Sequence, residues 1–159
     1  MSITASVAAA AVAFVAMEGV SYASHRWIMH GAGMRWHRSH HAPPEGRWEA
    51  NDLFPALFSL LGFGLFATAA LTDSPLMYWV GGGVAAYGAV YLFVHEVYIH
   101  RRLPWPGRDR ATLDHLRDAH RIHHLFGGEP YGMLLPVVPR ALRERAAKRA
   151  SGPSVRSRL

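Results

Sequence analysis

The sequence predicts an all-α integral membrane helical bundle, with about three transmembrane helices carrying a histidine-rich helical cap on the cytoplasmic side. Half of the 159 residues are hydrophobic and only 18% are charged, against about a quarter in an ordinary soluble domain. No Lys or Arg occurs before Arg26 or between Arg47 and Arg101, so the positive charge lies between and after long apolar runs. Ten of the eleven histidines fall into four clusters that flank those runs. The length corresponds to one domain, read as residues 1–139 followed by a basic tail, 140–159. Such hydrophobic content excludes disorder. The chain has no cysteine, which excludes disulfides, Cys-ligated zinc, iron–sulfur clusters and thiol catalysis. The net charge of +6 would suit nucleic acid, but its placement is that of a membrane protein, and no nucleic-acid partner is expected.

A bilayer core takes roughly 20 apolar residues as helix. Residues 2–24 supply the first span, broken only by Glu18. A secretory signal is the rival reading. The segment lacks a positive start, however, and a histidine pair follows at once, so cleavage would cut beside the chemistry. A carboxylate inside a span is costly in lipid and functional by default. Glu18 precedes His25 by two turns on nearly the same face. It is expected to orient an imidazole or line a cavity, or else to be protonated and bond a neighbouring helix.

Residues 53–71 and 75–94 supply two further uncharged spans, joined by Thr72, Asp73 and Ser74 into a hairpin. Their glycines suit membrane helices, where small residues let backbones approach. Trp79, Tyr87, Tyr91 and Phe93 are read mainly as helix packing or interfacial belt, with a substrate tunnel as the alternative. Trp27, Trp36 and Trp48 are expected as boundary anchors. A cytoplasmic helix is expected over about 110–126. The run YGMLLPVVP at 131–139 is too short to span and reads as interfacial or re-entrant. The tail 140–159 has seven basic residues and one acid. It reads as a solvated, frayed end, or as a contact for anionic lipid headgroups. With three crossings all seventeen Lys/Arg fall on one side, which the positive-inside rule makes cytoplasmic, with the N-terminus outside.

The histidines carry the chemistry. His25 and His30 form H-x4-H, and His37, His40 and His41 form H-x2-H-H. After the hairpin, His95 and His100 repeat the first spacing, and His120, His123 and His124 the second. On an α-helix i, i+3 and i+4 share a face, so each triplet points one way. Residues at i and i+5 stand about 140° apart. Such a pair either straddles two metals or converges where the helix loosens, as Gly31 and Gly33 permit after the first pair. Neutral imidazole is the commonest metal ligand and suits Fe, Zn, Cu and Ni. Ten imidazoles exceed what one ion takes, which points to two ions with positions left open. His115 stands outside the pattern as a helix-surface residue. Glu96, Asp52 and Asp118 are further candidates to orient the ligands, because an all-histidine set leaves much positive charge on two metals.

The four-box order, with M-H-G at 29–31, R-W-H-R-S-H-H at 35–41, N-D-L-F at 51–54 and A-H-R-I-H-H at 119–124, resembles the bacterial carotenoid 3-hydroxylases (β-carotene hydroxylases). They are a branch of the fatty acid hydroxylase/sterol desaturase superfamily of membrane di-iron oxygenases. The resemblance runs from Met17 to Pro136; GGEPYGM at 127–133 departs from the pattern. It implies that His25, His30, His37, His40, His41, His95, His100, His120, His123 and His124 bind two ferrous ions. It further implies O2 as co-substrate and two electrons per hydroxylation from a ferredoxin or ferredoxin reductase-type donor. The implied substrate is a lipid-soluble carotenoid, hydroxylated at C3 and C3′ of its β-ionone rings to convert β-carotene through β-cryptoxanthin to zeaxanthin. A carotenoid ketolase, a fatty acid or sterol hydroxylase and a desaturase share that metal chemistry. A membrane metal transporter is the non-enzyme alternative, but it wants ligands near the midplane, where these spans have almost none. HEVYIH is one residue too long for the zinc-protease helix H-E-x-x-H. A haem carrier would show single axial histidines inside the spans.

Overall fold

The computed structural model describes residues 1–151 apart from Pro44, Glu45, Arg47, Trp105, Pro106, Arg108 and Asp109. Among the described residues the regular elements are all helical. The first helix, α1, is Ile3–Ala23, and it runs on into a π-helix, Ser24–Ala32. Helix α2, Met34–His41, and a 3-10 turn, Ala50–Asp52, lead to α3, Leu53–Leu71. Helix α4, Pro75–Leu92, continues as a second π-helix, Phe93–Ile99. Helices α5, Ala111–Phe126, and α6, Arg140–Ala150, complete the chain. Helices thus cover 3–23, 53–71, 75–92 and 111–126, the first and third of the long ones continuing as π-helix.

Local chemistry sets these ends. The Ser2 hydroxyl caps α1 by accepting from Ala5 N–H, and Ser74 caps α4 with Pro75 in its first turn, where proline's missing N–H costs nothing. Helix α5 stops at Gly127, whose φ of 65° is left-handed, the conformation that glycine adopts without penalty.

Three helical stretches, Ile3–Ala32, Ala50–Leu71 and Pro75–Ile99, are long and apolar enough to cross a membrane. Their outward side chains, including Val12, Val15, Leu60, Leu61 and Phe63, are exposed. So large an apolar surface is at home in hydrocarbon and not in water, and the chain is a membrane protein. Helix α4 packs between α1 and α3. Gly83 makes the α1 contact possible, since a Cβ there would collide with the Ala10 carbonyl and come within 2.9 Å of Ala13 Cβ. Gly83→Val is therefore expected to force these helices apart, at about 1–3 kcal/mol for overpacking, and to lower the yield of folded protein in detergent. The neighbouring Gly82→Ala, with nothing within 4 Å of the added carbon, is expected to leave the yield unchanged.

The segment after α5 stays close to the bundle. Backbone N–H groups of Met133, Leu134 and Leu135 donate to the Glu18 carboxylate in α1, so this stretch lies against a membrane-spanning helix while Leu135 and Val137 remain exposed. The frayed tail is revised over its first half. Residues Arg140–Ala150 are helical, with Ala146 buried and the Arg145 guanidinium over the Phe126 ring at 4.7 Å. Residues 152–159 lie outside the described part.

Candidate metal centre

All four histidine clusters meet at one end of the bundle, where α1 and α4 finish and α3 begins. The two H-x4-H pairs lie in the two π-helical stretches. There the backbone bonds i to i+5, as in the 2.9 Å bond from His100 N–H to the His95 carbonyl, which brings residues five apart onto one face. The ring centroids of His25 and His30 are 5.2 Å apart, and those of His95 and His100 4.6 Å. Of the two possibilities for this spacing, convergence through a loosened helix is the one realised. The first stretch contains a break at Gly31 (φ −102°, ψ −119°).

The imidazoles form two groups. His25, His30, His37, His41 and His123 place one nitrogen each within 4.8 Å of one another, and so do His40, His95, His100 and His120. His124 borders the second group, its Nε2 2.8 Å from that of His120 and its ring stacked on His41. Each H-x2-H-H therefore serves both groups, whereas the sequence predicted three imidazoles aimed one way. His37 and His41, at i and i+4, face the first group and His40 the second. His120 and His124 face the second and His123 the first.

Five of the ring nitrogens pointing away from the groups have acceptors. In the first group Nδ1–H of His25 donates to the Tyr131 carbonyl at 3.0 Å, that of His37 to Asn51 Oδ1 at 2.7 Å and that of His123 to the Gly128 carbonyl at 2.6 Å. In the second, His95 donates to Glu96 at 2.6 Å and His40 to Glu49 at 3.3 Å. These bonds fix the tautomer and leave each Nε2 with a lone pair turned inward. The Nε2 atoms of His25 and His37 are 3.2 Å apart, and those of His37 and His41 3.1 Å. The first pair has both protons on Nδ1, so two lone pairs face each other, an arrangement relieved by a cation between them. In the second group His40 Nε2 is buried without a hydrogen-bond partner. The donor set thus fits two metal ions held by neutral imidazoles.

Electrostatics agree. Burial above all, with help from neighbouring imidazoles, lowers His37 and His41 to about 4 and His100, His123 and His124 to about 3. His40 and His120 are also pushed well below the ordinary value, for the same reason. All are neutral, and so able to ligate, at physiological pH. An unfolded chain takes up these protons near the ordinary value of 6.5, well before the folded one. Stability of the metal-free protein is then full above that value and is lost progressively as pH falls from 6.5 towards 4 and 3. Thermal unfolding between pH 8 and 4 is expected to show a Tm that is level at first and declines below about 6.5.

Of the expected orienting carboxylates, Glu96 bonds His95 directly. Asp52 instead pairs with Arg102 in two bonds of 2.8 and 2.7 Å, and Arg102 also reaches Glu96 at 2.8 Å. Glu18 contacts no imidazole among its hydrogen bonds. Its partners are the three backbone amides of 133–135 and the Tyr87 hydroxyl at 2.7 Å. Through Tyr87 it bonds a neighbouring helix, and through the amides of 133–135 it braces the segment that carries the Tyr131 carbonyl. Asp118 lies with His115 beside a surface cavity between α5 and α6. Tyr87 is buried against Glu18, and Tyr91 stacks on His95 at 5.2 Å. Sequence reasoning missed Glu49, Arg102, the role of Asn51 and the two carbonyls. The pattern Glu49…Asp52, a reciprocal cap on the 3-10 turn, was the available signal for the first. Backbone carbonyls leave none.

Comparison with known proteins agrees with this geometry. The model of the fatty acid hydroxylase family matches residues 10–143. A β-carotene hydroxylase of Pseudescherichia vulneris is 38% identical over 148 residues, covering 89% of this chain and 83% of that protein. One from Pantoea ananas is 37% identical over 150 residues, 87% of this chain and 84% of the other. Chloroplastic β-carotene 3-hydroxylase 1 of Arabidopsis thaliana is 36% identical over 141 residues, 83% of this chain and 44% of the plant protein. No solved structure matches.

Proposed function

Because the chain belongs to the fatty acid hydroxylase family, we propose that it is a carotenoid hydroxylase, placing hydroxyl at C3 and C3′ of the β-ionone rings of β-carotene to give zeaxanthin by way of β-cryptoxanthin. The observation that carries this reading is the convergence of two imidazole groups at one end of three apolar helices. A substrate this apolar dissolves in the bilayer, and the reacting groups stand where a lipid-borne chain reaches the membrane boundary. The names of the bacterial relatives supply the substrate.

Two iron ions fit the imidazole groups, and bound iron supplies activation of O2 with two electrons from an external donor of the ferredoxin class. The protein's own residues do the positioning. His25, His30, His37, His41 and His123 hold one ion. His40, His95, His100, His120 and His124 hold the other. Glu96, Glu49, Asn51 and the carbonyls of Gly128 and Tyr131 keep the Nδ1 protons in place, so that Nε2 stays free to ligate. Tyr91, stacked on His95, extends the apolar wall of α4 to the second group and excludes water there. The positive-inside rule puts this end in the cytoplasm, within reach of a soluble electron donor. A transporter reading is disfavoured because the oxygens of Glu18 are taken up by backbone amides and Tyr87.

Expression in a bacterium that accumulates β-carotene tests the reading. Zeaxanthin in the extracted pigments, with iron in the purified protein, is the expected result. Canthaxanthin would make the chain a ketolase, and unchanged β-carotene would reject a carotene ring as the substrate.

A further inference from the structure

We propose that the two imidazole groups are chemically unequal, and that the group built on His40, His95, His100 and His120 is the tighter divalent-cation site because carboxylates polarise its imidazoles. This rests on the reading that both groups hold cations. In the first group the acceptors shown for Nδ1 are neutral: the Tyr131 and Gly128 carbonyls and the Asn51 amide oxygen. In the second they are the carboxylates of Glu96 and Glu49. A carboxylate draws the Nδ1 proton more strongly than a neutral carbonyl does, which makes the opposite nitrogen a better donor to a metal.

The surrounding charge points the same way. Glu49, Asp52 and Glu96 converge on Arg102, whose guanidinium lies 3.9, 2.7 and 2.8 Å from them. Among the described residues, three carboxylates thus face one guanidinium in this network, next to the second group. Beside the first group Glu129 is paired with Arg26 at 2.8 Å and bonded by the Tyr22 hydroxyl. Its remaining hydrogen bond runs from the Tyr131 backbone amide, with none to an imidazole. Glu96 and Glu49 are thus positioning residues that act on the cation through His95 and His40.

Zinc titration of the metal-stripped full-length protein in detergent micelles, against a chromophoric chelator, tests the proposal without requiring turnover. Two binding steps are expected, the tighter one absent in His95→Ala and the weaker one absent in His25→Ala. Glu96→Gln is expected to weaken the tighter step 10- to 100-fold, in line with the effect of removing such partners elsewhere, and to leave the weaker step in place. Glu49→Gln reads the same step through His40, should the first variant not fold. Asn51→Asp, which gives His37 a carboxylate, is expected to strengthen the weaker step. Equal affinities in the unaltered chain would overturn the proposal, as would a tighter step that disappears in His25→Ala or a Glu96→Gln effect shared by both steps. An unaltered chain that takes up no zinc overturns the metal reading itself.

Discussion

In a His123→Ala variant, carotenoid hydroxylation is expected to fall below detection while the chain still inserts in the membrane. His123 is fully buried, and its Nε2 stands 3.1 Å from that of His30 and 3.2 Å from that of His41. Its ring packs at 4.4 Å on His25 and 5.4 Å on Tyr131. The substitution removes one donor from the first group and takes from the part-buried Gly128 carbonyl its imidazole donor. The apolar helices do not contribute to either loss, so insertion survives. Pigment chromatography and metal content per chain check both halves of the expectation. Ala substitutions at His40, His41 and His124 are expected to act alike, and retained activity in any one would remove that residue from the ligand set. His124 is the most informative, because it borders its group and does not lie within it.

Glu18→Leu is expected to be the most damaging change away from the imidazoles. The carboxylate accepts from Met133 N–H at 2.9 Å, Leu134 at 3.1 Å and Leu135 at 3.0 Å, and from the Tyr87 hydroxyl at 2.7 Å. Leucine matches the hydrophobicity of the span but leaves these donors beside hydrocarbon, where water does not satisfy them. The segment is expected to detach, carrying with it the Tyr131 carbonyl that orients His25. Faster hydrogen exchange at 133–135 and loss of one metal per chain are the readouts. Tyr87→Phe, which removes a single donor, is expected to cost only about 1 kcal/mol and to keep the metal. An unchanged exchange pattern in Glu18→Leu would refute the bracing role.

Much of this was legible in the sequence because two simple rules apply to it. Apolar runs long enough for a bilayer, separated by charge, give the three long helices and their hairpin. Histidines at repeated spacing name the residues that converge into the two imidazole groups. Three features escaped these rules. The allocation of imidazoles depends on the π-helical turns, and an ideal 100° step per residue placed His25 and His30 on different faces. The orienting groups are partly backbone carbonyls, which every residue possesses and no side chain announces. Glu18 was correctly singled out as an anomalous charge. Its partner is a stretch of main chain over one hundred residues away, and periodicity does not reveal such a pairing.

The crossed allocation of the triplets has a consequence for how the protein matures. Residues before the hairpin contribute four imidazoles to the first group and only His40 to the second, while those after it contribute four to the second and only His123 to the first. A nascent chain that has emerged only as far as α3 therefore holds an incomplete cage. Neither cage closes until the α5 segment has left the ribosome and docked. On the proposed reading, cation capture follows the docking of α5 and joins the two halves of the polypeptide through His40 and His123.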